Sequence, residues 1–266
     1  MSATVQASPA MADAYERQVP PLGGFNLTAL KLEVRRVLRN RRTVMFILVF
    51  PSVFFFMFGA TARAGQSKAG PGAVAYIMSS MAVYGAMVGT TAGGAAVAVE
   101  RSLGWSRQLR LTPLRPGAYV AMKVLTAMTL GLIAIVTEFA VGAASGVHMG
   151  AETWVLSGIA AWLCSLVFAA FGLFMGFLLP SENVMQFVGP ILAVLAMFGG
   201  LFIPLSQLSP AMRTVAQFSP VWGVGVIARS PLIGGFTASA AASVVVWTLL
   251  FGMGAMMLFR RDTARV

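Results

Sequence analysis

The chain has 266 residues, of which 58% are hydrophobic and 10% are charged, and its net charge is +11. Soluble globular domains carry about 25% charged residues, so this deficit and the mean hydropathy of +0.82 indicate an integral membrane protein. The basic residues fall between apolar runs and do not form one soluble face, which argues against nucleic-acid binding. One cysteine, Cys164, and one histidine, His148, exclude a disulfide framework and a histidine cluster.

The N-terminal 42 residues divide into two segments. Residues 1–25 are rich in Ala, Pro and Gly without a sustained period, which predicts a flexible cytoplasmic tail. Residues 26–42 show helical spacing of apolar residues on one face and basic residues on another: Leu27, Leu30, Val34 and Leu38, then Lys31, Arg35 and Arg39. We interpret this as an amphipathic helix on the membrane surface, in contact with anionic lipids. A plain positive anchor for the first span is the alternative.

Six apolar segments follow, each near the length of about 20 residues that crosses a bilayer. They predict a six-span transmembrane domain over residues 43–260, followed by a cytoplasmic tail over 261–266. The segments are 43–60, 76–99, 119–144, 154–179, 184–203 and 239–259. The fold class is therefore an all-α integral membrane protein.

The distribution of Lys and Arg predicts the orientation. With the N-terminus in the cytoplasm, 15 of the 19 basic residues lie inside. The positive-inside rule then places both termini in the cytoplasm.

Residues 205–235 contain Pro210, Pro220 and Pro231, with apolar pieces too short to cross. They predict a re-entrant or interfacial element at the outer leaflet, before the last span. An ordinary folded loop is the alternative.

The link between the second and third spans is the most basic internal connection. Residues 99–116 carry four arginines and one glutamate. This pattern predicts a short cytoplasmic helix that presses on a soluble partner. The alternative is that the arginines only satisfy the positive-inside rule.

The chain has no G-x-x-x-x-G-K-[ST] phosphate loop and no H-E-x-x-H zinc motif. A single histidine also makes a histidine-based triad improbable. We therefore expect neither an enzyme acting alone nor a cofactor or metal site in this chain.

These features resemble a permease subunit of the type-2 ABC exporters, over about residues 26–260. The link carries the family pattern of Glu-Arg, a glycine and a basic-leucine run ending in Thr-Pro: Glu100, Arg101, Gly104, Arg107, Leu109, Arg110, Leu111, Thr112 and Pro113. The Pro-rich element before the last span also matches. The Thr-Pro-Leu-Arg-Pro stretch is most similar to the drug-export branch, whereas many relatives have Gly-Thr in place of Gly104-Trp105.

The resemblance implies a division of labour in a bacterial cell membrane. A separate ATPase subunit would bind ATP and Mg, and two identical or homologous permeases would form the pathway for a hydrophobic or amphipathic, drug-like or lipid-like substrate. The link would be a coupling helix that docks on the ATPase through Glu100, Arg101, Gly104, Arg107, Leu109, Arg110, Thr112 and Pro113.

The resemblance also implies that spans two and five face the substrate pathway. The candidate residues share helical faces: Met81, Tyr84 and Val88, then Phe187, Ile191, Leu195, Phe198 and Phe202. Contact with lipid or a neighbouring helix is the alternative. Glycines at four-residue spacing, Gly85, Gly89 and Gly93, then Gly172 and Gly176, predict close helix packing, inside one subunit or between subunits.

Glu138 is the one acidic residue inside an apolar span. Its position, nearly 30 Å along the third span, places it at the outer boundary. We expect a structural or outer-gate role, with Arg213 or Arg229 as its partner, and a proton relay is the alternative.

Two other functions stay open. An ion-gradient-driven secondary transporter would need intramembrane charged or broken-helix ion sites, for which Glu138 is the only support. A membrane scaffold without transport, such as an immunity factor, is the second.

Overall fold

A computed structural model describes residues 21–63, 72–104, 114–181 and 184–264. These residues form helices and two short 3-10 turns, Pro21–Gly24 and Leu205–Gln207, without a strand. We number the helices α1 Leu27–Leu38, α2 Arg41–Arg63, α3 Ala73–Ala95, α4 Val97–Ser102, α5 Pro116–Ala144, α6 Ala151–Cys164, α7 Leu166–Leu178, α8 Val184–Phe198, α9 Pro210–Gln217, α10 Pro220–Ile233 and α11 Ala238–Ala264.

Five stretches of helix in the described residues are long and apolar enough to cross a membrane. They are Arg41–Ala60, Ala73–Ser102, Gly117–Ala144, Ala151–Leu178 and Ala238–Arg261. They correspond to the first four predicted spans and the last one. The prediction of an all-α integral membrane protein is confirmed.

The fifth predicted segment, 184–203, is helical only over α8. Its 15 residues reach about 22 Å, less than the roughly 30 Å of a bilayer core. The helix ends early because Gly200 adopts φ +80°, a left-handed conformation that terminates helices. The Leu201 amide then donates to the Ala196 carbonyl at 3.0 Å. The predicted span is therefore shorter than its hydropathy suggested.

Helix α3 is the centre of the bundle, since α2, α5, α7 and α10 all pack on it. Glycines allow this close packing. A Cβ on Gly93 would lie 2.7 Å from Ala127 Cα, and a Cβ on Gly172 would lie 2.3 Å from the Thr91 carbonyl oxygen. Of the two interpretations of the glycine spacing, packing inside one subunit is therefore confirmed.

The Pro-rich element before the last span folds into α9 and α10. Each helix begins with proline after a serine cap: Ser209 Oγ accepts from the Met212 amide, and Ser219 Oγ accepts from the Val221 amide. Helix α10 has 14 residues, too few to cross, and packs on α3, α6 and α11. Helix α10 is largely buried in protein, as a re-entrant element must be, whereas α9 is exposed except at Ala216.

Both predicted tails are partly helical or turned in the structure. Residues 21–24 form a 3-10 turn, and α11 continues to Ala264. The predicted amphipathic segment, 26–42, is helical over α1 and breaks before Arg41, where α2 begins. No residue of α1 is buried, which leaves the helix on the surface of the chain.

Candidate functional site

The link between the second and third spans is described only at its ends. Arg107, Leu109, Arg110, Thr112 and Pro113, all predicted to contact an ATPase, lie outside the described residues. At the entry, α4 ends at Ser102, and the next residue is 74% exposed. Gly104 then adopts φ +72° with open space around it, which suits a turn away from the helix.

Glu100, at the entry to the link, belongs to an ion cluster that is buried at Glu100 and Lys123 and partly exposed at Glu33 and Arg36. We define this cluster as Glu33, Arg36, Glu100 and Lys123, with the Tyr119 hydroxyl. Glu100 forms ion pairs with Arg36 and Lys123, and Lys123 also pairs with Glu33. Tyr119 donates a hydrogen bond to Glu100 Oε2 at 2.7 Å. Two acids and two bases balance, which offsets the cost of burying these charges.

The ion cluster changes the role predicted for Glu100. Its side chain is 4% exposed, and both carboxylate oxygens are engaged by residues of the same chain. The Glu100 carboxylate is therefore occupied within the chain, and its contact with an ATPase stays a prediction. Sequence reasoning missed Arg36 and Lys123 because they come from distant segments. The sequence did show one acid, Glu100, and two basic residues, Arg36 and Lys123, each near the end of an apolar run, and this could have suggested that they pair.

Arg101 is likewise turned towards the bundle. Its guanidinium donates to the carbonyls of Gly176 and Phe177, at 3.0 and 2.8 Å. These carbonyls end helix α7, where a cation satisfies unpaired acceptors and complements the helix dipole. Arg101 thus fixes the entry to the link against α7.

The exit of the link is held by the N-terminal segment. The Arg115 amide donates to the Gly23 carbonyl at 2.8 Å. A Cβ on Gly23 would lie 2.9 Å from Arg115 Cδ, and Gly23 has φ +65°, so glycine is required by both space and conformation. Residues 21–38 therefore contact both ends of the link.

Arg36 keeps its charge in this environment. Partial burial lowers the pKa of its guanidinium, but the hydrogen bond and charge of Glu100, aided by Glu33, outweigh burial and raise the pKa above its ordinary value. Arg36 is therefore cationic at every accessible pH, and the ion cluster has no pH switch at this residue.

Three of the predicted pathway residues, Met81, Tyr84 and Phe202, lie close together. Tyr84 and Phe202 have ring centres 5.0 Å apart, and Met81 packs beside them. Phe54 of α2, which was not predicted from the sequence, has its ring centre 5.3 Å from that of Phe202 and 6.1 Å from that of Tyr84. Met81 and Tyr84 are 1% and 6% exposed, whereas Phe54 and Phe202 are half-buried, so the aromatic cluster is covered on the Tyr84 side and partly open on the other.

The remaining pathway candidates divide between two faces. Val88, Ile191 and Leu195 are half-buried against the main core. Phe198 is half-buried, whereas Phe187 is 53% exposed. With Phe187, the residues Val194 and Met197 make an apolar outward face on α8.

Glu138 is buried, with 1% exposure, but it has neither of its predicted partners. Ser52 Oγ lies 2.8 Å from Glu138 Oε2, and Oε1 has no hydrogen-bond partner. The predicted pairing with Arg213 or Arg229 is wrong, because α2, not the Pro-rich element, covers Glu138. Arg213 instead donates to the Leu208 carbonyl at 2.9 Å.

Arg229 is a buried cation in α10, 3% exposed. It donates to Ser80 Oγ at 3.0 Å and to the Gly200 carbonyl at 3.4 Å, and it lies 4.7 Å from the centre of the Tyr76 ring. Among the described residues no carboxylate pairs with it. Arg229 therefore ties α10 to α3 and to the end of α8.

In the described part of the chain, no group of three or more His, Cys, Asp and Glu residues could hold a metal ion. The side chains described above form ion pairs, helix caps and apolar contacts.

Comparison with known proteins identifies the family of this chain. Residues 26–233 match the model of the family described as "ABC-2 type transporter". Over 236 residues the chain is 25% identical to "Putative transport permease YvfS" of Bacillus subtilis (strain 168), covering 87% of this chain and 96% of that protein. The matched segment includes α1, the ion cluster, the link and α10. The chain therefore belongs to the ABC-2 type transporter family and is a multi-pass membrane subunit of an ABC transporter.

Proposed function

We propose that this chain is the permease subunit of an ATP-driven exporter in a bacterial cell membrane. A separate ATPase would bind ATP and Mg and dock on the link. The observation that carries the proposal is the link itself: a basic segment in an ABC-2 family member, held at its entry by Glu100 and Arg101 and at its exit by Arg115. Ends fixed in this way let a movement of the link tilt the second and third spans.

The proposed orientation places the link and both termini in the cytoplasm. The excess of Lys and Arg at that side supports it. Single-cysteine variants in a Cys164→Ser background test this orientation. One variant is Leu103→Cys, at the entry of the link, and the other is Phe236→Cys, between α10 and α11. Both positions are well exposed. A membrane-impermeant thiol reagent should label position 236 in intact cells and position 103 only after lysis. The reverse pattern would overturn the orientation.

The proposed pathway lies between two permease subunits, identical or homologous, for a hydrophobic or amphipathic drug-like or lipid-like substrate. The outward face of α8, with Phe187, Val194 and Met197, supports it, because an apolar face suits such a substrate or a second subunit. Tyr84 and Phe202 would join α3 to the segment that follows α8, behind this face.

Purification with companion chains tests the whole proposal. The chain should co-purify with an ATPase, and substrate should stimulate ATP hydrolysis in lipid vesicles. Charge reversal at Arg107 and Arg110 to Glu should abolish that stimulation, since the ATPase would meet repulsion. The matched control is the same reversal at Arg260 and Arg261, which should retain it. Full assembly and export in the link variant would overturn the coupling role.

A gradient-driven transporter is the second candidate, favoured by one observation. Glu138 is an enclosed acid in a span, and one of its oxygens has no partner. Transport that continues without ATP and stops when the proton gradient collapses would select this candidate. Transport that needs ATP would select the exporter.

A further inference from the structure

Residues 21–38 brace the link at both of its ends. Glu33 and Arg36 of α1 enter the ion cluster around Glu100 at the entry, and the Gly23 carbonyl accepts from the Arg115 amide at the exit. The entry and exit of the link are 15 residues apart in sequence. One N-terminal segment therefore sets the position of both.

The other side of α1 carries cations that pair with no described carboxylate. Lys31, Arg35 and Arg39 are exposed, and successive ones lie one helical turn apart. Exposed Leu27 and Leu38 border them, with 72% and 37% exposure. In contrast, Arg36 points into the ion cluster. The helix thus has a basic, leucine-bordered outward face and an ion-paired inward face.

This outward face lies beside the membrane. The first span begins at Arg41, two residues after Arg39. A basic face with apolar borders at this position matches the phosphate layer of an anionic bilayer in charge and in polarity. A soluble protein partner would require acidic groups and would leave Leu27 and Leu38 unexplained.

We propose that α1 binds anionic phospholipid headgroups and that this binding sets the link for its ATPase through the ion cluster. The inference rests on the proposed function. Headgroups that bind Lys31, Arg35 and Arg39 favour the position of α1 in which Glu33 and Arg36 pair with Lys123 and Glu100. Because anionic lipid binds α1 more tightly in this position, lipid binding increases the fraction of molecules in which α1 holds both ends of the link.

Reconstitution of the permease with its ATPase tests the inference. The rate of substrate-stimulated ATP hydrolysis is measured in phosphatidylcholine vesicles and in vesicles with increasing phosphatidylglycerol. The response is the rate with phosphatidylglycerol divided by the rate in phosphatidylcholine alone. We expect the response to rise with phosphatidylglycerol. Each of Lys31→Gln, Arg35→Gln and Arg39→Gln should raise the phosphatidylglycerol content for half-response by about fivefold, the effect of one basic residue near the surface. An unchanged half-response in the triple variant would overturn the inference.

A second variant separates headgroup binding from transmission. Glu33→Gln with Arg36→Gln keeps the outward cations and removes the inward pairs. The reconstituted variant should still enrich phosphatidylglycerol over phosphatidylcholine among the lipids bound to it in mixed vesicles, and the hydrolysis response should be lost. The matched control is Arg260→Gln with Arg261→Gln, which should respond as the wild type does. A full response in the Glu33 and Arg36 variant would overturn transmission through the ion cluster.

Two further arms identify the source of the effect. Inorganic phosphate added to phosphatidylcholine vesicles should not replace phosphatidylglycerol, and full activation by phosphate alone would overturn a lipid site. Hydrolysis that is stimulated equally in both vesicle types would overturn the inference and leave the exporter intact. Absence of any ATPase companion would instead overturn the proposed function.

Discussion

Ser52 of α2 lies between two acceptors: its hydroxyl is 2.8 Å from the Glu138 carboxyl of α5 and 3.1 Å from the Leu48 carbonyl of its own helix. A serine hydroxyl has one proton to donate. The hydroxyl proton is therefore shared between the Leu48 carbonyl and Glu138 Oε2, which both accept from Ser52. The first and third spans are therefore joined by a hydrogen bond that does not need a charged carboxylate.

We expect Glu138→Gln to fold nearly as well as the wild type, because the amide oxygen also accepts from Ser52. Ser52→Ala should cost about 1–3 kcal/mol, since the buried Glu138 carboxyl then loses its hydrogen-bond partner. Unfolding by sodium dodecyl sulfate, followed by tryptophan fluorescence, measures both free energies. If Glu138→Gln lost as much stability as Ser52→Ala, the carboxyl would have a role besides accepting the hydrogen bond from Ser52.

Close helix contact gives a second prediction. Gly172→Ala should destabilise the chain by about 1–3 kcal/mol, because its Cβ would lie 2.3 Å from the Thr91 carbonyl oxygen and force α3 and α7 apart. Gly252→Ala is the matched control, since a Cβ there meets nothing within 4 Å. In the same unfolding assay the control should be neutral or slightly stabilised by its higher helix propensity. Equal stability of the two variants would contradict the observed packing.

The glycine packing and most spans could be predicted from sequence because both depend on local spacing. Gly85, Gly89 and Gly93 recur at one helical turn, so the chain alone shows that they share a face. Hydropathy averages, in contrast, do not register a helix end. Helix α8 ends before Gly199 and Gly200, although the apolar segment 184–203 is long enough to be predicted as a full span.

The partners of Glu100 and Glu138 could not be predicted because they depend on tertiary contacts. Glu100 stands beside a basic run in the sequence, yet its partners are Arg36, 64 residues earlier, and Lys123 in the next span. Glu138 was expected to pair with an arginine because a buried carboxylate is stabilised by an opposite charge. The helix that covers it offers a serine instead.

A third prediction concerns the buried cation of α10. Tyr76→Leu should cost about 2 kcal/mol, because Arg229 loses a ring 4.7 Å away, and a desolvated cation–aromatic contact has about that energy. Tyr76→Phe is the matched control: it keeps the ring and loses only a long hydrogen bond, 3.5 Å, to the Gly200 carbonyl. Hydrogen exchange across 220–233 should accelerate in the leucine variant alone. Acceleration in both variants would assign the effect to the hydroxyl and not to the ring.

A fourth prediction separates residues that contact substrate from those that support the fold. Phe187 is 53% exposed on the outward face of α8, whereas Tyr84 is 6% exposed among aromatic rings. Tyr84→Ala should cost about 3–5 kcal/mol, as for large aromatic truncations in a core. Phe187→Ala should leave stability nearly unchanged and raise the substrate concentration for half-maximal ATPase stimulation about three- to tenfold, since one aromatic contact contributes about 0.5–1.5 kcal/mol beyond its buried area.

The control for this prediction is Phe236→Ala, which removes an exposed ring, 62% exposed, between α10 and α11. It should leave both stability and substrate dependence unchanged. If Phe187→Ala and Phe236→Ala gave the same substrate dependence as the wild type, the outward face of α8 would be a lipid or subunit contact. The pathway would then have to open through the ring pair of Tyr84 and Phe202, which requires α3 and the segment after α8 to separate during transport.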